Sequence, residues 1–211
     1  MNFKDIVFKQ TGYELSAYQL EQFEKYFAFL IEYNKNVNLT RITEKDDVYI
    51  KHFLDSIIVI NLIDFTKINT LLDMGSGAGF PGIPLKILYP HLEVLLVDAR
   101  KKKLVFLEKL FEVLNLSNIT TTHSRLEDLD YKNYFDLATA RALSDLNTIS
   151  KYAYPLIKTG GHIISYKSQS YETELREFSD AWKGKLKIER VDYQELPNES
   201  GARYNVLIKK Q

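Results

Sequence analysis

Leu71-Leu72-Asp73-Met74-Gly75-Ser76-Gly77-Ala78-Gly79-Phe80-Pro81-Gly82 is the stretch that decides the fold. A short apolar run from Thr70 stops at glycines, and IPLKILY from Ile83 resumes with helical spacing and Pro84 in its first turn. Strand, glycine-rich turn and helix in that order form the unit with which open α/β sheets bind ligands at a strand's C-terminal end. Side chains in place of Gly75, Gly77 and Gly79 would hold a ligand away from the backbone. Three alternating glycines with a fourth at Gly82 exceed what a turn alone requires, so the sequence points to a bound small molecule.

Downstream the same alternation continues. EVLLVD (93–98), ITTTHS (119–124), YFDLATARA (134–142) and GGHIISYK (160–167) read as strands. KKLVFLEKLFEVLNL (102–116), DLNTISKYAYPLI (145–157) and YETELREFSDAW (171–182) read as helices. LKIERVDYQEL (186–196) and RYNVLIKK (203–210) read as two strands joined by the turn-rich PNESGA. With the first run these make an α/β fold: a mostly parallel seven-stranded sheet, helices on both faces and an antiparallel pair at the end. Upstream, Ser16 with Gln19 forms a capping box, and Gly12 closes a short first helix. Leu20, Phe23, Phe27, Leu30 and Ile31 recur at helical spacing until the asparagines of 34–38. A further helix is predicted from Glu44 to Ile63, with Thr43 as N-cap and Asp46 and Asp47 at the positive end of its dipole. Residues 1–64 are therefore an N-terminal helical cap and 65–211 the sheet domain, packed together without a linker.

Composition narrows the function. The chain has 211 residues, 45% hydrophobic and 27% charged, a globular balance. The absence of cysteine excludes a disulfide scaffold, a cysteine-ligated metal and a thiol nucleophile. The N-terminus is interrupted by Lys4, Asp5 and Lys9, unlike a secretory signal, and no apolar run is long enough to span a bilayer. A cytoplasmic protein with no membrane partner is expected. Lys plus Arg equals Asp plus Glu at 28 each, so any nucleic acid must be met by a local patch rather than by overall charge.

The glycines alone leave two ligands open. Gly77-Ala-Gly79-Phe-Pro-Gly82 satisfies the dinucleotide pattern, and Asp98 ends the next strand where an acid accepts ribose hydroxyls. An NAD-dependent oxidoreductase is thus one reading. Against it, Asp73 places a carboxylate where a cationic amino group can sit, and Pro81 removes a backbone donor where a pyrophosphate needs one. S-adenosylmethionine, with its amino-acid tail and adenosine head, fits better. A noncatalytic RNA-binding assembly factor that retains a cofactor pocket is a further alternative.

Eight segments in order carry a resemblance: NKNVNLT (34–40), HFLDS (52–56), LLDMGSGAGFPGIPLKI (71–87), LLVDARKKKLVFL (95–107), HSRLEDL (123–129), ATARAL (138–143), SYK (165–167) and the terminal RYNVLIKK. The chain resembles the RsmG family, also called glucose-inhibited division protein B, over nearly its whole length. Those proteins are S-adenosylmethionine-dependent methyltransferases that modify a guanine N7 in small-subunit (16S) ribosomal RNA. The resemblance implies a Rossmann-like class I methyltransferase fold. It also implies a cofactor site around Gly75, Phe80, Leu126, Glu127 and Arg141, completed by Asp73, Gly77, Gly79 and Asp98 of the motifs above. The matching family positions suggest that Arg125, Arg141, Lys167 and Arg203 form one patch on the RNA side. Asn38 and His52 stand out in the cap as candidate RNA contacts, and His52 and Asp55, one turn apart on a helix face, read equally as a helix-surface hydrogen bond. The chain departs from the family at Ala99, where a serine is usual, and in the uniformly basic run Arg100-Lys101-Lys102-Lys103. That run opens a helix against its dipole, which reads equally as a phosphate contact or as a solvated lysine cluster.

Guanine N7 carries an in-plane lone pair and no proton, so its methylation needs neither a general base nor a metal. The implied partner is small-subunit ribosomal RNA, within a ribosomal particle, met by a monomer.

Overall fold

The computed structural model describes residues 2–167 and 171–211. The chain opens with α1 (Phe3–Thr11) and α2 (Ala17–Asn34). Gly12 ends α1 in the left-handed region at φ 72°, and Ser16 and Gln19 cap α2 reciprocally, as their residue types predict. The single helix predicted from Glu44 to Ile63 is instead a composite. It comprises α3 (Lys45–Val48), a π-helical turn (Tyr49–Leu54), α4 (Asp55–Ile57) and a 3-10 turn (Ile58–Asn61). Its N-cap is Glu44, not Thr43. A wide π turn admits one extra residue, so the pairs Tyr49–Ile50 and Phe53–Leu54 are both buried, which a constant 3.6-residue period does not anticipate.

The sheet comprises β1 (Thr70–Met74), β2 (Glu93–Val97), β3 (Ile119–Thr122), β4 (Phe135–Arg141), β5 (Ile157–Lys167), β6 (Leu186–Glu195) and β7 (Ala202–Lys210). Its order is β3-β2-β1-β4-β5-β7-β6, with β1 to β5 parallel and β7 antiparallel to both neighbours. The C-terminal ends of the parallel strands and the start of β7 therefore share one edge. Helices α5 (Gly82–Leu88), α6 (Lys101–Leu114), α7 (Leu146–Ala153) and α8 (Tyr171–Ala181) complete the chain.

Alternation along the strands splits the core in two. Leu71, Leu96, Leu137, Ile164 and Leu207 face the cap, α5 and α6, in one cluster with Phe23, Tyr26, Phe53, Ile83 and Phe106. Leu72, Met74, Val97, Ala140, Ile163 and Val206 face the other way, against Leu146, Ile149 and Phe178 of α7 and α8. The helices and turns from Phe3 to Asn61 thus bury their apolar stripe in the same core as the sheet.

The glycine turn is held by its own surroundings more than its sequence suggests. Gly75, Gly77 and Gly79 all have positive φ, at 73°, 59° and 97°. A Cβ at Gly79 would lie 2.6 Å from Ile83 and 2.8 Å from the Tyr26 hydroxyl, and one at Gly82 would strike Leu96 and lie 2.8 Å from Asp73 Oδ2. Packing alone therefore demands the third and fourth glycines, and it is the crevice beside them that offers room for a ligand. Leu96 and Asp73 are buried and have nowhere to move, so Gly82→Ala should destabilise the protein by about 1–3 kcal/mol. An unchanged urea midpoint would refute this.

Candidate active site

Two cavities open at the shared edge. The smaller, about 250 Å³, is lined by Gly75, Val97, Asp98, Ala99, Ser124, Arg125, Leu126, Glu127, Leu143 and Tyr152. Its walls combine apolar surface for a flat ring with a carboxylate at the end of β2. Asp98 is buried and already organised: Oδ2 accepts from Gly77 N (3.0 Å) and Lys103 Nζ (3.2 Å), and Oδ1 from Arg100 N (2.9 Å). Lys103 thus acquires a role inside the site, whereas Lys101 and Lys102 stay exposed on the surface. A carboxylate offers about four lone-pair positions, so acceptor capacity remains.

Asp73 lies deeper. It is 0% exposed, and its oxygens accept from Gly82 N (2.8 Å) and from Thr139 Oγ1 (3.2 Å). Burial pushes its carboxyl up to about 7, against the hydrogen bonds from Gly82 and Thr139. In this geometry Asp73 ties the end of the glycine turn to β4. Phe80 is likewise buried, at 5% exposure, and lines neither cavity. It stacks on Tyr26 (5.4 Å) and on His52 (4.6 Å), and the Arg141 guanidinium lies 4.9 Å over its ring. Tyr26 donates to the Ala78 carbonyl at 2.5 Å. The glycine turn is therefore clamped to the cap through Phe80.

The larger cavity, about 450 Å³, is lined by Lys51, His52 and Asp55 of the cap together with Arg141, Ala142, Ser144, Tyr166, Lys167, Glu174 and Arg203, with Ile42 at its rim. Asp55, 3% exposed, bridges two strands: Oδ2 accepts from Arg141 Nη1 (3.1 Å) and Oδ1 from Arg203 Nε (2.7 Å). Tyr166 donates to the Ser56 carbonyl at 2.9 Å. His52 lies 2.8 Å from Thr40 Oγ1, and Thr40 belongs to a loop folded around Asn34, whose Oδ1 accepts from the amides of Leu39 and Thr40. Burial, reinforced by the Arg141 charge, pushes His52 down to about 3, so the ring is neutral at physiological pH.

This shift has a consequence for stability. The folded pKa of His52 lies below its unfolded value of 6.5, so the unfolded chain takes up a proton that the folded chain refuses. The stability linked to His52 is present above pH 6.5 and declines as pH falls toward 3. Between pH 7 and pH 5 the loss should be about 1–2 kcal/mol, and His52→Gln should remove that part of the pH dependence. Parallel stability–pH curves for the two proteins would contradict it.

Arg141, Lys167 and Arg203 thus come together as the sequence suggests, but Arg125 does not join them. It lies exposed on the mouth of the smaller cavity because it precedes the turn after β3, not β4. Nor is the His52–Asp55 pair a helix-surface contact: both side chains point inward, and Asp55 is spent on the arginines. Asn38 is exposed and lines neither cavity; Asn34, four residues earlier, orders the loop. Sequence reasoning also passes over Lys51, Leu143, Ser144 and Glu174. Lys51 and Asp55 sit in and beside HFLDS, a usable signal, whereas Glu174 looks like any solvated helix acid.

The fold has many solved counterparts. The crystal structure of a ribosomal protein L11 methylase from Lactobacillus delbrueckii subsp. bulgaricus superposes with a TM-score of 0.59 at 17% identity, covering 76% of this chain and 79% of that one. The tRNA (m1A58) methyltransferase TrmI from Aquifex aeolicus gives 0.53 at 16% identity, covering 68% and 62%. Sheet order, glycine turn and crevice together define the class I methyltransferase fold, and with the family match that follows neither the oxidoreductase reading nor the noncatalytic one is favoured. Residues 19–200 match the family model GidB, described as rRNA small subunit methyltransferase G. The chain is 45% identical over 204 residues to Ribosomal RNA small subunit methyltransferase G of Acholeplasma laidlawii, covering 95% of this chain and 88% of the relative. It is 43% identical over 210 residues to the protein of the same name from Bacillus subtilis, covering 95% and 86%. The chain belongs to the GidB family of rRNA small subunit methyltransferases. Among the described residues no helix is long and apolar enough to cross a membrane.

Proposed function

We propose that the chain transfers a methyl group from S-adenosylmethionine to N7 of one guanine in small-subunit (16S) ribosomal RNA. The observation that carries this reading is the segment from Arg141 to Ser144 at the end of β4. Leu143 lines the smaller cavity, whereas Arg141, Ala142 and Ser144 line the larger. A donor in one cavity and an acceptor base in the other meet across that single wall.

The residues of the smaller cavity fit the cofactor. Asp98 accepts a ribose hydroxyl, Val97, Ala99 and Leu126 flank the adenine, and the exposed Glu127 lines the cavity beside them. Gly75 lets Leu143 close against the end of β1, where a Cβ would lie 2.9 Å from the Leu143 side chain. Asp73 holds the turn from below, and Arg141 adjoins the reacting end. When bound, the cofactor supplies an electrophilic methyl on a sulfonium, and displacement by the N7 lone pair needs only alignment and the right field.

The larger cavity supplies that field. Four cations, Lys51, Arg141, Lys167 and Arg203, face two carboxylates, Asp55 and Glu174, a balance that attracts a phosphodiester without surrounding the base with positive charge. The product ring is cationic, so the neutral His52 and the carboxylate-bound Arg141 are suitable neighbours for it. A local group of cations on a chain with zero formal charge suits an enzyme that reads RNA in an assembled subunit. A cytoplasmic monomer acting on the small-subunit particle is the simplest form of this reading. It is tested by nucleoside mass spectrometry of ribosomal RNA from cells lacking the gene: 7-methylguanosine should fall by one residue per small subunit and return on complementation. An unchanged level would overturn it. Titration should show S-adenosylhomocysteine binding and no saturable binding of NAD.

A further inference from the structure

We infer that the Lys167–Glu174 pair reads the Watson–Crick edge of the target guanine. The inference rests on the proposed guanine methylation and adds the groups that select the base. Lys167 Nζ lies 2.7 Å from Glu174 Oε2 and donates to the Ser144 carbonyl at 2.7 Å. An ammonium has three donors, so one remains. Glu174 Oε2 also accepts from the Leu146 amide at 2.8 Å, and among the described residues Oε1 accepts nothing. Both side chains are largely buried, at 11% and 23% exposure, and both line the larger cavity.

A spare donor next to a spare carboxylate oxygen follows the donor-then-acceptor order that cytosine presents to guanine, with the two lone pairs of Oε1 in place of cytosine N3 and O2. The ammonium donates to O6, and the carboxylate accepts from N1–H and the 2-amino group. Adenine inverts the pattern, turning an amino group toward the ammonium and a bare ring nitrogen toward the carboxylate, and is rejected by both. The other carboxylate of the cavity is unsuited to the task, because both oxygens of Asp55 are bound by arginines. The remaining edge of the purine, which carries N7, is then free to face the wall shared with the cofactor cavity. Glu174 and Lys167 are specificity residues here, touching the base but not the transferred methyl.

The test replaces the guanosine that the enzyme methylates with inosine, which keeps N7, O6 and N1–H and lacks only the 2-amino group. Single-turnover methylation is measured on small-subunit particles assembled with either RNA. The wild-type protein should favour guanosine by about ten- to a hundredfold, the effect of one hydrogen bond to a charged group. Glu174→Gln still accepts from Leu146 N, so the start of α7 is kept, but it should reduce the preference to within about threefold while S-adenosylhomocysteine affinity stays unchanged. Equal rates for the wild type on the two RNAs, or full preference retained in Glu174→Gln, would overturn the inference alone. No transfer to the guanosine particle would instead overturn the methylation reading on which it rests.

Discussion

Asp98→Ala should weaken S-adenosylhomocysteine binding at least a hundredfold. The carboxylate organises the crevice as well as lining it. Through Gly77 N it fixes the glycine turn, through Arg100 N the start of α6, and through Lys103 a cation beside the cofactor position. A hydrogen bond from a ribose hydroxyl to the remaining position of a charged acceptor accounts for about 1.5–3 kcal/mol, and loss of the preorganised turn adds to that. Isothermal titration reads the effect directly. Asp98→Asn distinguishes the two parts: the amide oxygen can still accept from one backbone donor, so the turn is partly kept while charge and one acceptor are lost. A tenfold or smaller loss in Asp98→Ala would show that the ribose is not held there.

Asp55→Ala should abolish methylation and destabilise the fold by about 3–5 kcal/mol, the usual cost of removing one partner from a buried ion pair. Asp55 comes from the cap, Arg141 from β4 and Arg203 from β7, and the carboxylate is what allows two guanidinium groups to share one buried corner. Without it they repel, Arg203 loses its 2.7 Å partner, and both leave the geometry in which they face the larger cavity. Asp55→Asn is the sharper variant, since it keeps an acceptor and the side-chain volume. It should fold, bind S-adenosylhomocysteine normally and methylate at least about tenfold more slowly, with the loss mainly in kcat/KM for RNA. Removing one of the two positive charges should restore part of the stability, so Asp55→Ala with Arg203→Ala should melt above Asp55→Ala alone. If the double variant is less stable by the sum of the single effects, the bridge described here is not an energetic unit.

These two residues show different degrees of legibility. Asp98 announces itself: an apolar β-branched run ending in an acid, one strand after a glycine turn, is a local pattern with a chemical meaning. Asp55 sits in the distinctive segment HFLDS, yet neighbouring residues gave only the helical offset to His52. Its true partners, Arg141 and Arg203, lie 86 and 148 positions away. Glycine counting misled in the other direction. Gly79 and Gly82 look like room for a ligand, but Ile83, Tyr26, Leu96 and Asp73 occupy that space. The family positions group Arg125 with Arg141, and both lie near strand ends, a property that does not say which of two adjacent crevices a strand end serves.

By itself, the sequence determined the alternation of strands and helices, the capped start of α2, the place of the glycine turn and the acid that follows it. Each of these is encoded within one or two turns of chain, where spacing, φ preference and side-chain type act directly. Tertiary structure alone decided that the cap would clamp the turn through Phe80, that a π turn would carry His52 and Asp55 inward, and that Glu174 would meet Lys167. Such contacts depend on which strands are neighbours and how far each helix is rotated on the sheet. Burial and opposite charge settle those choices only once the whole core has closed.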